Sequence, residues 1–156
     1  MEITIDIENQ LDAKIDEIDA QISECIRGVN PPILTIPGIG ELTAAVILSE
    51  YGDINKFESP SQMLSFAGLE PGYYQSGQSE HNGHMVKHGS SHLRYALMNA
   101  CLPLITYEPV FAEYYAKKRA EGKPHRVALT HVAKKLLRVI YTLQAKNICY
   151  DPALIR

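Results

Sequence analysis

Apolar residues recur at helical spacing in several stretches of the chain, the first of them near the N-terminus. Its apolar positions, separated by steps of three or four residues, are Leu11, Ile15, Ile18, Ile22 and Ile26. This spacing predicts an amphipathic helix with one apolar stripe and acidic residues on the other face. The stripe is narrow and spans only about two to three heptads, so a short coiled coil and an arm packed on the domain both stay open. Pro31-Pro32 ends the predicted helix.

The remaining helices are predicted from turn residues and apolar faces. A Pro-Gly-Ile-Gly turn precedes an Ala-, Val-, Ile- and Leu-rich helix that stops near Gly52, and residues 60–67 allow a second short helix. Ser90 or Ser91 provides the N-cap of a third helix, and Pro109 opens a fourth. The predicted buried face of the third helix comprises Leu93, Leu97, Ala100, Cys101 and Leu104.

The last helix is predicted over residues 124–147. Its predicted buried positions are Val127, Val132, Leu136, Ile140 and Leu143. His131, Lys134, Lys135 and Arg138 gather on another side and form a basic stripe in solvent. Such a stripe is either a solvated face or a contact for nucleic-acid phosphates.

Residues 70–89 differ from the rest because they are rich in Gly, Ser and Tyr. Asn82-Gly83 is able to form a tight turn between two extended arms. The pattern predicts a mainly α fold with at most a small β-hairpin around residues 73–86. We divide the chain into an N-terminal helix at 1–30 and a domain at 31–150, in which the loop at 70–89 precedes basic helices at 90–147.

The net charge of −3 hides a change of sign along the chain. Residues 1–30 carry −6, residues 31–83 carry −5, and residues 84–156 carry +8. A basic C-terminal half is the pattern expected for contacts with DNA phosphates.

Composition also limits the class of protein. The three cysteines, Cys25, Cys101 and Cys149, lie far apart without CxxC spacing, so we expect them reduced and mostly buried, with neither disulfides nor a zinc knuckle. No apolar run reaches the ~18 residues of a membrane span. The N-terminal residues lack the pattern of a signal peptide, so we expect a cytoplasmic protein without membrane contact.

The turn formed by Pro37, Gly38, Ile39 and Gly40 resembles the helix-hairpin-helix motif, here at residues 34–52. Two glycines flanking an isoleucine expose backbone N–H groups at a helix N-terminus, where the macrodipole favours a phosphate. A tight turn that only starts a core helix is the alternative.

Four histidines form a rival candidate site. His81, His84, His88 and His92 have spacings of three and four that suit metal ligands, but Gly83 and Gly89 interrupt any single helix through them. Apart from Glu80, no cysteine or acidic residue in this stretch completes the set, so we expect no metal to be bound by this chain.

An ordered series of motifs carries a family resemblance from about Leu34 to Leu143. The series is PGIG, SFAGL, Tyr-x-Ser-Gly, Lys-x-Gly and Leu-Arg. It resembles the C-terminal transposase domain of the insertion-sequence one-ten family, the DEDD-type, RNA-guided recombinases that include pilin-gene invertases. The resemblance implies that Ser76, followed by Gly77, is a nucleophile that forms a covalent phosphoserine link to DNA.

The same resemblance implies further partners and residues. Lys87 and Arg94 match positions able to clamp a phosphate, although Arg94 is equally placed to hold the loop to the helix. An N-terminal domain with metal-binding acids is implied beyond this chain, so Mg²⁺ is expected from that domain and the chain alone is expected to be inactive. Target DNA, a guide RNA and a homo-oligomer formed through the N-terminal helix are the implied partners. The alternative is a non-catalytic DNA- or RNA-binding module.

Overall fold

The computed structural model describes residues 2–76, 79–85 and 88–155, and the side chains of 4–70, 88–153 and 155. The described residues form a mainly α structure with one antiparallel hairpin. The helices are α1 (Glu2–Val29), α2 (Glu41–Tyr51), α3 (Pro60–Phe66), α4 (Ser91–Tyr107), α5 (Pro109–Ala120) and α6 (His125–Lys146), and the strands are β1 (Pro71–Ser76) and β2 (Ser79–Met85). Short 3-10 helices cover Pro32–Thr35, Ile54–Lys56 and Pro152–Leu154. The predicted fold class is confirmed.

Helix α6 is the centre of the core. It packs against α3, α4 and α5, and α4 in turn packs against α2. Leu136, Leu137 and Ile140 are fully buried on α6, facing apolar side chains of the surrounding helices. Burying such side chains stabilises the fold by roughly 1.5–3 kcal/mol each, so this helix is a main source of its stability.

The buried face predicted for α4 is confirmed, because all five of its residues are buried. Within that face Cys101 donates a hydrogen bond to the carbonyl of Leu97 at 3.1 Å, and burial raises the pKa of its thiol to about 12. The expectation of buried cysteines was wrong for Cys25 and Cys149, which are exposed. Cys25 lies on α1, whose main packing partner among the described elements is α2, and Cys149 lies after the end of α6.

One predicted core position of α6 was also wrong. Val127 is 41% exposed, whereas Val132, Leu136, Ile140 and Leu143 are buried. Val127 lies in the first turn of the helix, where the buried face begins with Ala128 and Leu129. The apolar period of α6 extends into its first turn, but the elements that bury the rest of this face leave Val127 exposed.

Of the two arrangements left open for its apolar stripe, the structure shows α1 as an arm packed on the domain by its last turns, and a coiled coil through the rest of the stripe stays a prediction. Its 28 residues span about 42 Å, and only its last turns pack on α2. Ile22 and Ile26 are half-buried there, while Leu11, Ile15 and Ile18 stay more than half exposed. Arg27 at the end of α1 donates to the carboxylate of Glu41 on α2 at 2.9 Å. Among the described residues, no helix is both long enough and apolar enough to cross a bilayer.

Position 38 requires a glycine for two reasons, the backbone conformation there and the close packing against α4. Its φ of 85° lies in the left-handed region, and an added Cβ would lie 2.9 Å from the carbonyl carbon of Pro103 on α4. Gly40, the N-cap of α2, has a φ of −83° and open space at the Cβ position. The two glycines of the same turn therefore have different constraints.

We expect Gly38→Ala to lower the free energy of unfolding by about 1–3 kcal/mol, because alanine is strained at this φ and meets the α4 backbone. Gly40→Ala is the matched control and should change it by less than about 1 kcal/mol. Urea denaturation of both variants measures the difference. Equal midpoints would show that the contact between the turn and α4 is unimportant.

Candidate nucleic-acid interface

The hairpin carries the predicted nucleophile at its closed end. The strands pair Tyr74 with His81 and Ser76 with Ser79, so Ser76 is the last residue of β1. The predicted turn was wrong, because Asn82 and its following glycine lie inside β2. In the observed register Asn82 pairs with Tyr73 inside the ladder, and Ser76 pairs with Ser79. Gly77 and Lys87 lie outside the described residues.

Both ends of the hairpin are tied to the C-terminal end of α3. At the end that leads into β1, the Leu69 N–H donates to the Leu64 carbonyl at 2.9 Å, and Leu69 is fully buried. On the return, the Ser90 N–H donates to the Phe66 carbonyl at 2.8 Å. Gly89 has a φ of 154°, and a Cβ there would lie 2.3 Å from the same carbonyl oxygen. The base of the hairpin is therefore held by backbone contacts that permit only glycine at 89.

Side chains of α2 and α4 reinforce this base. Arg94 donates from Nη1 to the carbonyl of Ala67 at 3.0 Å. The Ser90 hydroxyl donates to the Glu50 carboxylate at 2.6 Å and accepts from the Leu93 N–H at 2.9 Å, which caps α4. Of the two roles considered for Arg94, this contact supports the one that holds the loop to the helix. Phosphate contact by Arg94 stays a prediction.

A polar cavity of about 410 Å³ opens beside the point where the hairpin leaves α3. We call it the hairpin-base cleft and define it by Ser61, Glu70, Tyr114, His131, Lys134 and Arg138. Three of these residues come from the predicted basic stripe of α6, and the others come from α3, α5 and the residue before β1. Helical spacing had indicated the α6 members, but it gave no signal for the three partners on other elements.

The electrostatics of the cleft are dominated by cations. Burial, followed by repulsion from Arg138, lowers the pKa of Lys134, while Glu70 acts in the opposite direction. Burial also lowers the pKa of His131, with further repulsion from Lys134 and nearby lysines. Within the described residues neither Lys134 nor Arg138 has a carboxylate within 4.0 Å. The cleft therefore holds positive charge in a partly desolvated setting.

Lys135 lies apart from the other stripe residues. Its Nζ lies 5.0 Å from the centre of the Tyr114 ring and 5.4 Å from that of Phe111, both on α5. Burial lowers its pKa, and the carboxylates of Glu108 and Glu113 oppose that shift. Cation–π contacts of this kind hold a lysine against the protein. The structure thus divides the predicted stripe into cleft residues and a lysine packed on α5, and DNA contact by Lys135 stays a prediction.

The Pro-Gly-Ile-Gly turn leads into α2 as the motif predicts. Pro37 follows the 3-10 helix Pro32–Thr35, so the element before the turn is a single short turn of helix. Ile39 is 6% exposed and belongs to the core, whereas Gly40 is exposed. The first turn of α2 carries Glu41, whose pKa is lowered by its hydrogen bond to Arg27. The burial of Ile39 supports the alternative of a turn into a core helix, and phosphate contact by this turn stays a prediction.

The histidines of the rival metal site fall on different elements. His81 and His84 lie in β2, His88 precedes α4, and His92 lies in its first turn. His88 and His92 are exposed. Among the described side chains, no three His, Cys, Asp or Glu residues come close enough to share a metal ion. The side chains of His81 and His84 are outside that set.

The sequence matches a family model described as the Transposase IS116/IS110/IS902 family over residues 30–116. The matched region runs from the Pro-Gly-Ile-Gly turn through the hairpin to α5, and it contains Ser76. The chain belongs to this family.

Individual relatives agree with the family model. The chain is 30% identical over 136 residues to an IS110 insertion-element protein of Streptomyces coelicolor, covering 86% of this chain and 34% of the relative. It is 32% identical over 121 residues to the pilin gene-inverting protein of Moraxella bovis, covering 76% of this chain and 38% of the relative. An IS900 protein of Mycobacterium paratuberculosis is 32% identical over 146 residues, covering 92% and 37%. The chain spans about a third of the length of these curated relatives.

We expect Arg94→Met to lower the free energy of unfolding by about 1–3 kcal/mol, because it leaves the buried Ala67 carbonyl without its donor. Arg126→Met, at an exposed position of α6, is the matched control and should change stability by less than about 0.5 kcal/mol. Urea denaturation followed by circular dichroism distinguishes the two. An unchanged midpoint for Arg94→Met would refute the anchoring role.

Proposed function

We propose that this chain is the strand-transfer segment of a transposase, with Ser76 as the nucleophile that attacks a DNA phosphodiester. The observation that carries the proposal is the family match over residues 30–116, which includes the Tyr-x-Ser-Gly segment. The hairpin register is compatible with it, because Ser76 is the last residue of β1 and pairs with Ser79, at the opposite end of the strand ladder from the base at Leu69 and Ser90.

The reaction proceeds in two balanced steps. The Ser76 oxygen loses its proton to a base and forms a bond to phosphorus, while the bond from phosphorus to one strand oxygen breaks and that oxygen takes up a proton. The product is a phosphoserine diester and a free hydroxyl end. A hydroxyl of another strand then attacks the phosphoserine, which restores the serine and joins the new strand. The covalent link conserves the energy of the phosphodiester for rejoining.

The family resemblance implies a catalytic metal ion. Among the described residues, no three His, Cys, Asp or Glu side chains lie close enough together to bind one. Mg²⁺ is accordingly proposed to be held by an acidic domain elsewhere in the full-length transposase. Bound there, it would supply positive charge that stabilises the phosphate and the leaving oxygen. The residues of this chain bind and orient the DNA.

The DNA-binding residues form two proposed groups. Pro37, Gly38, Ile39 and Gly40 present the N-terminus of α2, and the residues proposed around the hairpin and α6 are Gly77, Lys87, Arg94, Lys134, Lys135 and Arg138. A guide RNA and a second copy of the chain are further proposed partners. The exposed stripe of α1 supports the second copy, since Leu11, Ile15 and Ile18 are unburied at helical spacing.

The nucleophile is tested in the full-length transposase with its guide RNA and labelled target DNA. We expect Ser76→Ala to abolish covalent protein–DNA adducts on denaturing gels. Ser79→Ala, which changes the residue paired with Ser76 across the hairpin, is the matched control and should keep most adducts. Mass spectrometry of the wild-type adduct should place the nucleotide on Ser76. Adducts that survive in Ser76→Ala would disprove the assignment.

The same assay tests the shared active site. A chelator should remove adduct formation by the full-length protein, and added Mg²⁺ should restore it, since the metal stabilises the leaving oxygen. The segment containing only residues 1–156 should form no adducts under either condition. Wild-type protein that binds DNA but never forms adducts with Mg²⁺ would favour the alternative, a non-catalytic nucleic-acid-binding module.

A further inference from the structure

The hairpin-base cleft contains more positive charge than its own carboxylate neutralises. Lys134 and Arg138 lie one turn apart on α6, and Glu70 is the carboxylate among the described lining residues. Partial burial makes the charged form of Lys134 less favourable, as the lowered pKa shows. Like charges held together away from bulk water favour an anionic partner.

The other lining groups suit a phosphate. The hydroxyls of Ser61 and Tyr114 are hydrogen-bond donors, and His131 adds a third donor that becomes charged when protonated. A guanidinium presents paired N–H groups that match two phosphate oxygens, while an ammonium acts as a point charge. The cleft thus combines both types of cation with neutral donors around one open cavity.

We propose that the hairpin-base cleft binds one backbone phosphate of duplex DNA between Lys134 and Arg138, and that this contact sets the register of the DNA relative to Ser76. The identity of the anion as DNA rests on the proposed function. The inference that the cleft binds an anion is based on its lining residues and their charges.

The length of strand β1 sets the distance between the hairpin-base cleft and Ser76. Glu70 lies at the cleft, and Ser76 follows it by six residue steps along β1, a span of up to roughly 20 Å at ~3.3 Å per residue. A duplex rises about 3.4 Å per base-pair step, so this length corresponds to roughly six steps. For DNA whose axis lies along the hairpin, the bound phosphate is therefore displaced along that axis by about six base-pair steps from the phosphate attacked by Ser76, on whichever strand faces the cleft.

Glu70 acts as an internal competitor for the same cations. Its carboxylate favours the charged form of Lys134 in the absence of DNA. When a phosphate enters, the two anions repel each other across the cleft. Removal of this carboxylate should therefore strengthen DNA binding, an effect that a general basic surface would show more weakly.

Binding of a fluorescent 30-base-pair duplex to the chain tests the cleft. We expect Lys134→Gln and Arg138→Gln each to weaken binding roughly tenfold and to reduce the salt slope by about 0.9. Lys146→Gln removes the same charge from the exposed last turn of α6 and should change affinity much less. Glu70→Gln should tighten binding. Equal losses for the Lys146 and Lys134 variants would overturn the proposal.

His131 reports on the cleft directly. Its imidazole faces Lys134, Lys118, Lys123 and Glu121, and a bound phosphate adds a negative charge that should raise its pKa. Histidine NMR titrations with and without the duplex measure the shift. His125, hydrogen-bonded to Tyr115 at 2.7 Å outside the cleft, is the internal control. A duplex that binds without raising the pKa of His131 would overturn the proposal.

The register is tested in the full-length transposase by replacing single phosphates with uncharged methylphosphonates. We expect adduct formation to fall at a position about six steps from the cut, and Arg138→Gln to remove that sensitivity. A scan without such a position, in protein that still forms Ser76 adducts, overturns the register and leaves the proposed function intact. Cleft binding without Ser76 adducts would instead remove the nucleophile assignment and keep the cleft.

Discussion

The position of the β1–β2 hairpin depends on how its two ends are attached to the helices, because its strands contact each other more than they contact any helix. Here the Ser90 N–H binds the Phe66 carbonyl, and the close approach of Gly89 to that oxygen leaves no room for a side chain. The Arg94 bond to Ala67 and the Ser90 bond to Glu50 join α2, α3 and α4 at the same point. Since a two-stranded hairpin is marginal by itself, its direction relative to α6 is determined by this base.

The helices were predictable because their signals are local. Ser90 and Pro109 begin helices where the sequence indicates, and the period of α4 identifies its buried face. The wrong assignments required knowledge of neighbours. Val127 has the correct period but lies beyond the packed part of α6, and Asn82 precedes a glycine in a sequence typical of turns, although the strand pairing extends past it. Strand pairing outweighs the local turn propensity at Asn82, and the extent of packing outweighs the helical period at Val127.

The candidate site was predictable only in part, for a similar reason. The spacing of His131, Lys134 and Arg138 places them on one side of α6, and the structure brings them to one cleft. Lys135 shares the charge but meets the rings of Phe111 and Tyr114, which belong to another helix. No spacing rule relates residues on separate elements. Ser76 is a further case, since only family resemblance distinguishes it from other serines of the loop.

The two proposed DNA contacts differ in net charge, and this difference assigns them different roles. At the N-terminus of α2, Glu41 is paired with Arg27, so a phosphate proposed to bind there would meet the N–H groups of the first helical turn beside an ion pair with no net charge. Gly38 in that turn is explained by its contact with Pro103 without any reference to DNA. In the hairpin-base cleft, Lys134 and Arg138 exceed the single carboxylate of Glu70. The salt dependence of DNA binding follows the number of phosphates neutralised by cations. We therefore expect it to come mainly from the α6 side, whereas the proposed contact at the α2 turn would change little with ionic strength.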